Sequence, residues 1–150
     1  MDIYWTFKKF EALTAPELYT IVALREKVFV VEQQCVYLDA DGIDREAYHL
    51  EGIVNGELVA YCRVYYSQEA VHIGRVVVAF DYRGKGLAYR LMEQAHAKIS
   101  YVFPASSIIR ISAQKYLQPF YEKTGYKTTG KTYQEDGIPH IAMYKLLVHP

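Results

Sequence analysis

The chain has 150 residues, about one domain, and is 51% hydrophobic and 23% charged, which excludes intrinsic disorder. Seventeen Lys and Arg balance 17 Asp and Glu, so bulk attraction to phosphate is weak and nucleic acid is not the expected partner. No apolar run reaches the ~18 residues of a membrane span, the start Met1-Asp2-Ile3-Tyr4-Trp5 lacks a secretory pattern, and two separated cysteines, Cys35 and Cys62, outside any disulfide framework predict a cytoplasmic protein without membrane contact.

Without an internal repeat or linker, residues 1–150 read as one domain. Ile3 to Phe7 is β-branched and aromatic, a first strand. Thr14-Ala15-Pro16-Glu17 is a capping box with proline in the first turn. Leu18, Ile21, Val22, Arg25, Val28 and Phe29 follow at helical spacing, so the helix runs to about Val31 or Gln33. After an Asp- and Gly-rich loop over 34–46, residues 48–54 alternate as a strand. Asn55-Gly56 turns the chain, residues 58–66 return, and a third strand covers 71–79. Gly86 to Val102 is a helix whose predicted apolar stripe is Ala88, Leu91, Met92, Ala95 and Ile99. Residues 107–112 form a strand that a helical crossover makes parallel to its predecessor. Gln114 to Lys123 is helical, Gly125 stops it, and two strands, 126–133 and 138–147, close the chain. The order β-α-β-β-β-α-β-α-β-β is an α/β arrangement: a mixed sheet with helices on its faces.

The sharpest local signal is Val76-Val77-Val78-Ala79-Phe80-Asp81-Tyr82-Arg83-Gly84-Lys85-Gly86-Leu87-Ala88. An apolar strand enters a turn with two glycines and two cations, and a helix begins there. Unpaired amides at a helix N-terminus, with glycines that permit close approach, suit a phosphate or pyrophosphate. A solvated surface turn is the plain alternative. A Walker loop fails because Gly86 follows Lys85 where Ser or Thr is needed. A dinucleotide fingerprint fails because Tyr89 stands at the third glycine and no acid follows about 20 residues on, which disfavours a nucleotide-dependent oxidoreductase.

Arg83-x-x-Gly86-x-Ala88 resembles the coenzyme A pyrophosphate motif of the GCN5-related N-acetyltransferases. Further along, Phe120-Tyr121-Glu122-Lys123-x-Gly125-Tyr126 resembles that family's second signature, and the order of elements matches over essentially the whole chain. The run Val28 to Gly42, with Glu32-Gln33-x-Cys35-x-Tyr37-x-Asp39-x-Asp41, is similar to the ElaA-like subfamily. So are Ile73-Gly74-Arg75-Val76, Ala113-Gln114 and Tyr133-x-Glu135-Asp136-Gly137-Ile138-Pro139-His140.

The resemblance implies the acyl-CoA N-acyltransferase fold and acetyl transfer from acetyl-coenzyme A, as co-substrate, to a primary amine by direct attack. It assigns acetyl and pantetheine binding to the backbone of Val76, Val77 and Val78, and the pyrophosphate to Arg83, Gly84, Lys85, Gly86, Leu87 and Ala88. Gln114 stands at a cofactor position where many relatives have Asn. Tyr121 maps onto the tyrosine facing the sulfur, a phenol able to protonate the leaving thiolate; its alternative is packing, among 15 tyrosines. Tyr116 and Tyr126 read as structural. On the acceptor side Glu32 and His140 are candidate bases, and Asp39, Asp41 and Asp44 are candidate attractors of a cationic substrate; a solvated helix end, a satisfied strand histidine and turn formers are the alternatives. The acceptor is a small-molecule or peptide amine, and a homodimer is a family-level expectation. Rival readings are a non-catalytic acyl-coenzyme A binding module and an acyltransferase for longer chains.

No metal is expected. Counted from Asp39 as a calcium loop, the glycine and glutamate positions hold Asp44 and Leu50, and the histidines at 49, 72, 96, 140 and 149 lack zinc spacing. Cys35 reads as a free structural cysteine.

Overall fold

A computed structural model describes residues 1–147. Its strands are β1 Tyr4–Lys9, β2 Tyr48–Val54, β3 Glu57–Ser67, β4 Ala70–Val78, β5 Ile108–Gln114, β6 Lys127–Glu135 and β7 Ile138–Leu146. Its α-helices are α1 Ala15–Arg25, α2 Leu87–Val102 and α3 Gln118–Lys123. The seven strands form one sheet in the order β1-β2-β3-β4-β5-β7-β6. Every neighbouring pair is antiparallel except β4 with β5, so the predicted parallel crossover is present.

The capping box at Thr14 forms in both directions. Its hydroxyl accepts the Glu17 amide at 3.2 Å, and the Glu17 carboxylate accepts the Thr14 amide at 2.8 Å. The helix continues past Arg25 as π-helical turns over Glu26–Glu32. That widened segment places Val28, Phe29, Glu32 and Gln33 against the cleft described below; such turns are frequent at functional sites. Residues 114–123, read as one helix, are a 3₁₀ turn, Lys115–Leu117, followed by α3 with Pro119 in its first turn.

The sheet is covered on both faces. Ile21 and Val28 pack with Leu58, Tyr61 and Val77 on one side. Leu87, Leu91, Met92, Ala95 and Ile99 of α2 pack with Leu50, Val71, Ile109 and Met143 on the other. The double cover explains why β3 reads as a continuous apolar run. Leu91 and Ile99 are fully buried, and each contributes about 1.5–3 kcal/mol. Leu87, not Ala88, completes the stripe of α2; Ala88 faces the cleft. At the far edge, Trp5 of β1 lies over Gly52 of β2, where a Cβ would sit 2.6 Å from the indole ring.

Candidate active site

The parallel pair is short. β4 meets β5 only at Val71 with Ile109 and His72 with Arg110, and then the two strands part. A bulge in β4 coincides with the parting: Tyr61 faces Val77 and Arg63 faces Gly74, so Arg75 and Val76 together oppose Cys62. Arg75 takes φ +52°, a region that costs a non-glycine residue about 1–2 kcal/mol. The Ala79 amide donates to the Val59 carbonyl at 2.8 Å. Alternation along the strand then turns the Val77 amide toward β3 and the Val76 and Val78 amides toward the open edge. The opening is a cleft of about 680 Å³ that takes in Val76, Val77, Val78, Ala88, Gln114 and Tyr121.

At one end lies the glycine turn. Gly84 and Gly86 have φ of +75° and +76°, and a Cβ on either would meet nothing within 4 Å. Gly86 is the N-cap of α2, and no side chain caps that helix. Its first amides therefore point outward at the positive end of the helix dipole. Arg83, Gly84, Lys85 and Gly86 are exposed, whereas the Leu87 side chain is buried, so only its backbone is available. Arg83 donates from Nε to the Val78 carbonyl and from Nη2 to Glu32, both at 2.9 Å. Lys85 Nζ lies 5.4 Å from the centre of the Tyr82 ring. An uncapped helix start, an unfilled glycine turn and two cations fit a pyrophosphate.

Tyr121 stands farther in, with Phe120 and Tyr126 edge-on to its ring at 5.0 and 6.0 Å. It is 6% exposed, and burial pushes its phenol well above the ordinary value, so it carries its proton at neutral pH. Among the described residues nothing hydrogen-bonds its hydroxyl. Tyr126 is structural as expected, its hydroxyl paired with His96 Nε2 at 2.9 Å. Tyr116 departs from the packing role read for it: it is 71% exposed and lines the cleft. Gln114 pairs with Gln33 of the π-helical end, each amide donating to the other at 3.2 and 3.4 Å.

The opposite end is built by the loop after Glu32 and by the β6–β7 turn. Cys35, buried and free, donates its thiol to the Asp136 carbonyl at 2.8 Å and ties the two together. His140 donates from Nδ1 to the Ile138 carbonyl at 2.7 Å, which fixes that proton, and its Nε2 faces the Glu135 carboxylate at 3.1 Å. Ser112 bonds the Tyr133 hydroxyl and lies 3.5 Å from Glu135. His140, Gln114 and Tyr121 therefore share one cleft. Glu32 lines it too, but its carboxylate is turned to Arg83 at the glycine-turn end.

Asp39, Asp41 and Asp44 are not free to attract a substrate, which corrects the sequence expectation. Three arginines neutralise them. Arg25 holds Asp39 at 3.1 Å and Asp44 at 2.7 Å, Arg63 holds Asp41 at 2.6 Å and Asp44 at 3.0 Å, and Arg75 holds Asp39 at 3.1 Å and Asp41 at 3.4 Å. Burial alone would push the Asp41 carboxyl up, but the Arg63 hydrogen bonds and charge outweigh it and bring it down to about 2. Burial likewise works against the Arg25 charge, and the Asp44 hydrogen bond with the neighbouring acids keeps it raised. The sequence carried one signal of this network: Arg25 sits in the apolar stripe of α1, where a charge needs buried partners. Gln33, Ser112, Tyr133 and Glu135 were not singled out as site residues, and only the fold brings them together. Among the described residues no group of His, Cys, Asp or Glu could hold a metal ion; His149 lies outside the described residues. Among the described residues no helix is long and apolar enough to cross a membrane.

A mixed seven-stranded sheet that opens between its two parallel strands beside a glycine turn defines the architecture of the acyl-CoA N-acyltransferases. Comparison with known proteins agrees. The family model for the acetyltransferase (GNAT) domain matches residues 22–147. A UPF0039 protein of Schizosaccharomyces pombe is 43% identical over 144 residues, 95% of this chain and 96% of that one. The crystal structure of Escherichia coli ElaA superposes with a TM-score of 0.90 at 37% identity, covering 96% of this chain and 99% of that one. That of an acyl-CoA N-acyltransferase from Pseudomonas aeruginosa gives 0.89 at 37% identity, covering 95% and 99%. The chain belongs to the GNAT acetyltransferase family, in its ElaA-like branch.

Proposed function

We propose that the protein is a cytoplasmic N-acetyltransferase, one domain over residues 1–150, that moves the acetyl group of acetyl-coenzyme A to a primary amine by direct attack in a ternary complex. One observation carries this reading. A single cleft joins the bare N-terminus of α2, the open edge of β4 with its Val76 and Val78 amides, and the protonated phenol of Tyr121. Family membership and the likeness to an acyl-CoA N-acyltransferase support it.

In this reading the backbone from Gly84 to Ala88, with the Arg83 and Lys85 charges, holds the pyrophosphate, and Gln114 contacts the cofactor once released from Gln33. The Val76 and Val78 amides, with Val77 between them, run beside the acyl arm, and an amide aimed at the thioester oxygen stabilises the charge that gathers there. The amine gives a proton to a base and attacks the carbonyl carbon. The carbon–nitrogen bond forms, the carbon–sulfur bond breaks, and the departing thiolate takes the Tyr121 proton. His140 and Glu32 are the candidates for that base, and each is engaged before an amine arrives: His140 Nε2 lies 3.1 Å from the Glu135 carboxylate, and Glu32 lies 2.9 Å from Arg83.

The test is incubation with acetyl-coenzyme A and a broad panel of small-molecule and peptide amines, reading free thiol and product mass. Thiol release matched by N-acetylated product is the expected result. Cofactor binding without turnover on any amine would make the protein a non-catalytic acyl-coenzyme A module. A higher kcat/KM with longer acyl chains would make it a different acyltransferase.

A further inference from the structure

The bulge that opens β4 is occupied by an arginine. Among the described residues six non-glycines have positive φ. Gln34, Asn55, Gln68, Glu69 and Asp136 lie in turns or loops, and Arg75 alone lies inside a strand. Glycine would take that conformation without strain, so the side chain itself must repay the cost.

The side chain is engaged through two of its three nitrogens. Arg75 Nε donates to Asp39 Oδ1 at 3.1 Å, and Nη2 donates to the Asp39 carbonyl at 3.2 Å and to Asp41 Oδ2 at 3.4 Å. Its guanidinium also lies 5.3 Å from the Tyr37 ring centre. Asp39 is gripped from its other side by Arg25, whose side chain is wholly buried on α1. Two backbone-anchored arginines thus share one buried carboxylate. The bulge in β4 is tied to α1 through the loop that carries Cys35 and Tyr37. One residue beyond Arg75 is Val76, whose amide faces the opening.

We infer that Arg75 is a positioning residue for acyl transfer: clamped by Asp39 and Asp41, it holds the bulge that parts β4 from β5 and sets the direction of the Val76 and Val78 amides along the acyl arm, one of them at the thioester carbonyl. This rests on the acetyl-transfer reading above. Arg75 touches no reacting atom in this role. Its effect is on the direction of two backbone donors, and a misdirected donor loses its value in the transition state while the rest of the cofactor still binds.

The experiment uses acetyl-coenzyme A labelled with ¹³C at the carbonyl. Difference infrared spectra of the wild-type complex should show the carbonyl stretch shifted down by hydrogen bonding. In Arg75→Gln that shift should shrink and kcat should fall about 10–100-fold, with coenzyme A affinity changed by less than about threefold. Arg75→Lys should recover part of both. Asp41→Asn, at a half-exposed carboxylate, gives a second variant that keeps the buried Arg25 pair and should show a smaller loss in the same two readouts. If wild type itself gives no shifted carbonyl and no turnover, the acetyl-transfer reading fails. If wild type gives both and Arg75→Gln keeps the full shift and kcat, the positioning role is overturned. A loss of cofactor affinity in proportion to kcat, with the shift intact in the bound fraction, overturns it as well.

Discussion

Glu32 reaches over the mouth of the cleft and pairs with Arg83, carboxylate to guanidinium, at 2.9 Å. The pair joins the end of the first helical segment to the turn that precedes α2. It also satisfies in advance the cation that an incoming phosphate would use. Both side chains are partly exposed, so the pair is worth only about 0.2–1 kcal/mol. Glu32→Gln removes a competitor for Arg83, and coenzyme A should bind up to about fivefold tighter. Isothermal titration at low salt checks this; weaker binding would place Glu32 among the groups that assist the cofactor.

Gly86→Val should leave the protein folded and cost at least tenfold in coenzyme A affinity. A Cβ there meets no protein atom within 4 Å, so the fold has room for it. The added branches occupy the space in front of the α2 amides. The positive φ strains valine by about 1–2 kcal/mol, a melting shift of only a few degrees. Circular dichroism and titration with coenzyme A separate the two effects.

Tyr121→Phe should lower kcat by about 10²–10⁴ with little change in cofactor affinity, because the lost hydroxyl acts as a proton donor and the ring remains. The control is Tyr116→Phe. Tyr116 lies exposed on the cleft wall, and removing its hydroxyl should leave kcat within about twofold. Pre-steady-state measurement of the transfer step is the decisive comparison.

Acid should weaken the fold through His96. Burial first, and the Lys145 charge second, bring its imidazole down to about 4 in the native state, against an ordinary 6.5. Between those values the unfolded chain binds the extra proton. The stability from keeping His96 neutral is present above about pH 6.5 and lost as pH falls toward 4, on the order of 3 kcal/mol in all. Urea unfolding at pH 7 and pH 4.5 should show this loss, and His96→Gln, which cannot charge, should show a shallower one.

Most of the fold was legible because its signals are local. The Thr14 to Glu17 box, the Asn55-Gly56 turn and the apolar stripe of α2 each depend on residues a few positions apart. The glycine turn was legible for the same reason. The network around Asp39 was not, because its partners Arg25, Arg63 and Arg75 come from α1, β3 and β4 and meet only in the folded chain. The same aspartates look like turn formers or substrate attractors until three arginines are placed beside them. Ala88 was misread by one helical position: periodicity gives the apolar stripe, but the gap between β4 and β5 decides that Ala88 borders open space while Leu87 faces the core.

The two residue pairs that join β4 to β5 leave the sheet as two plates riveted at one end, β1 to β4 on one side and β5, β7 and β6 on the other. A ligand in the gap would act as the missing rivet. Amide hydrogen exchange should then slow on both plates together when coenzyme A binds, at Val76 to Val78 and at Ile111 to Ala113, while β1 at the outer edge keeps its rate. Strands that stand apart inside a sheet also leave unpaired backbone that another extended chain could use. The Glu32–Arg83 pair across the mouth, and the cysteine-tied turn at the other end, make the slot accessible to a slender molecule and hard for a foreign strand to enter.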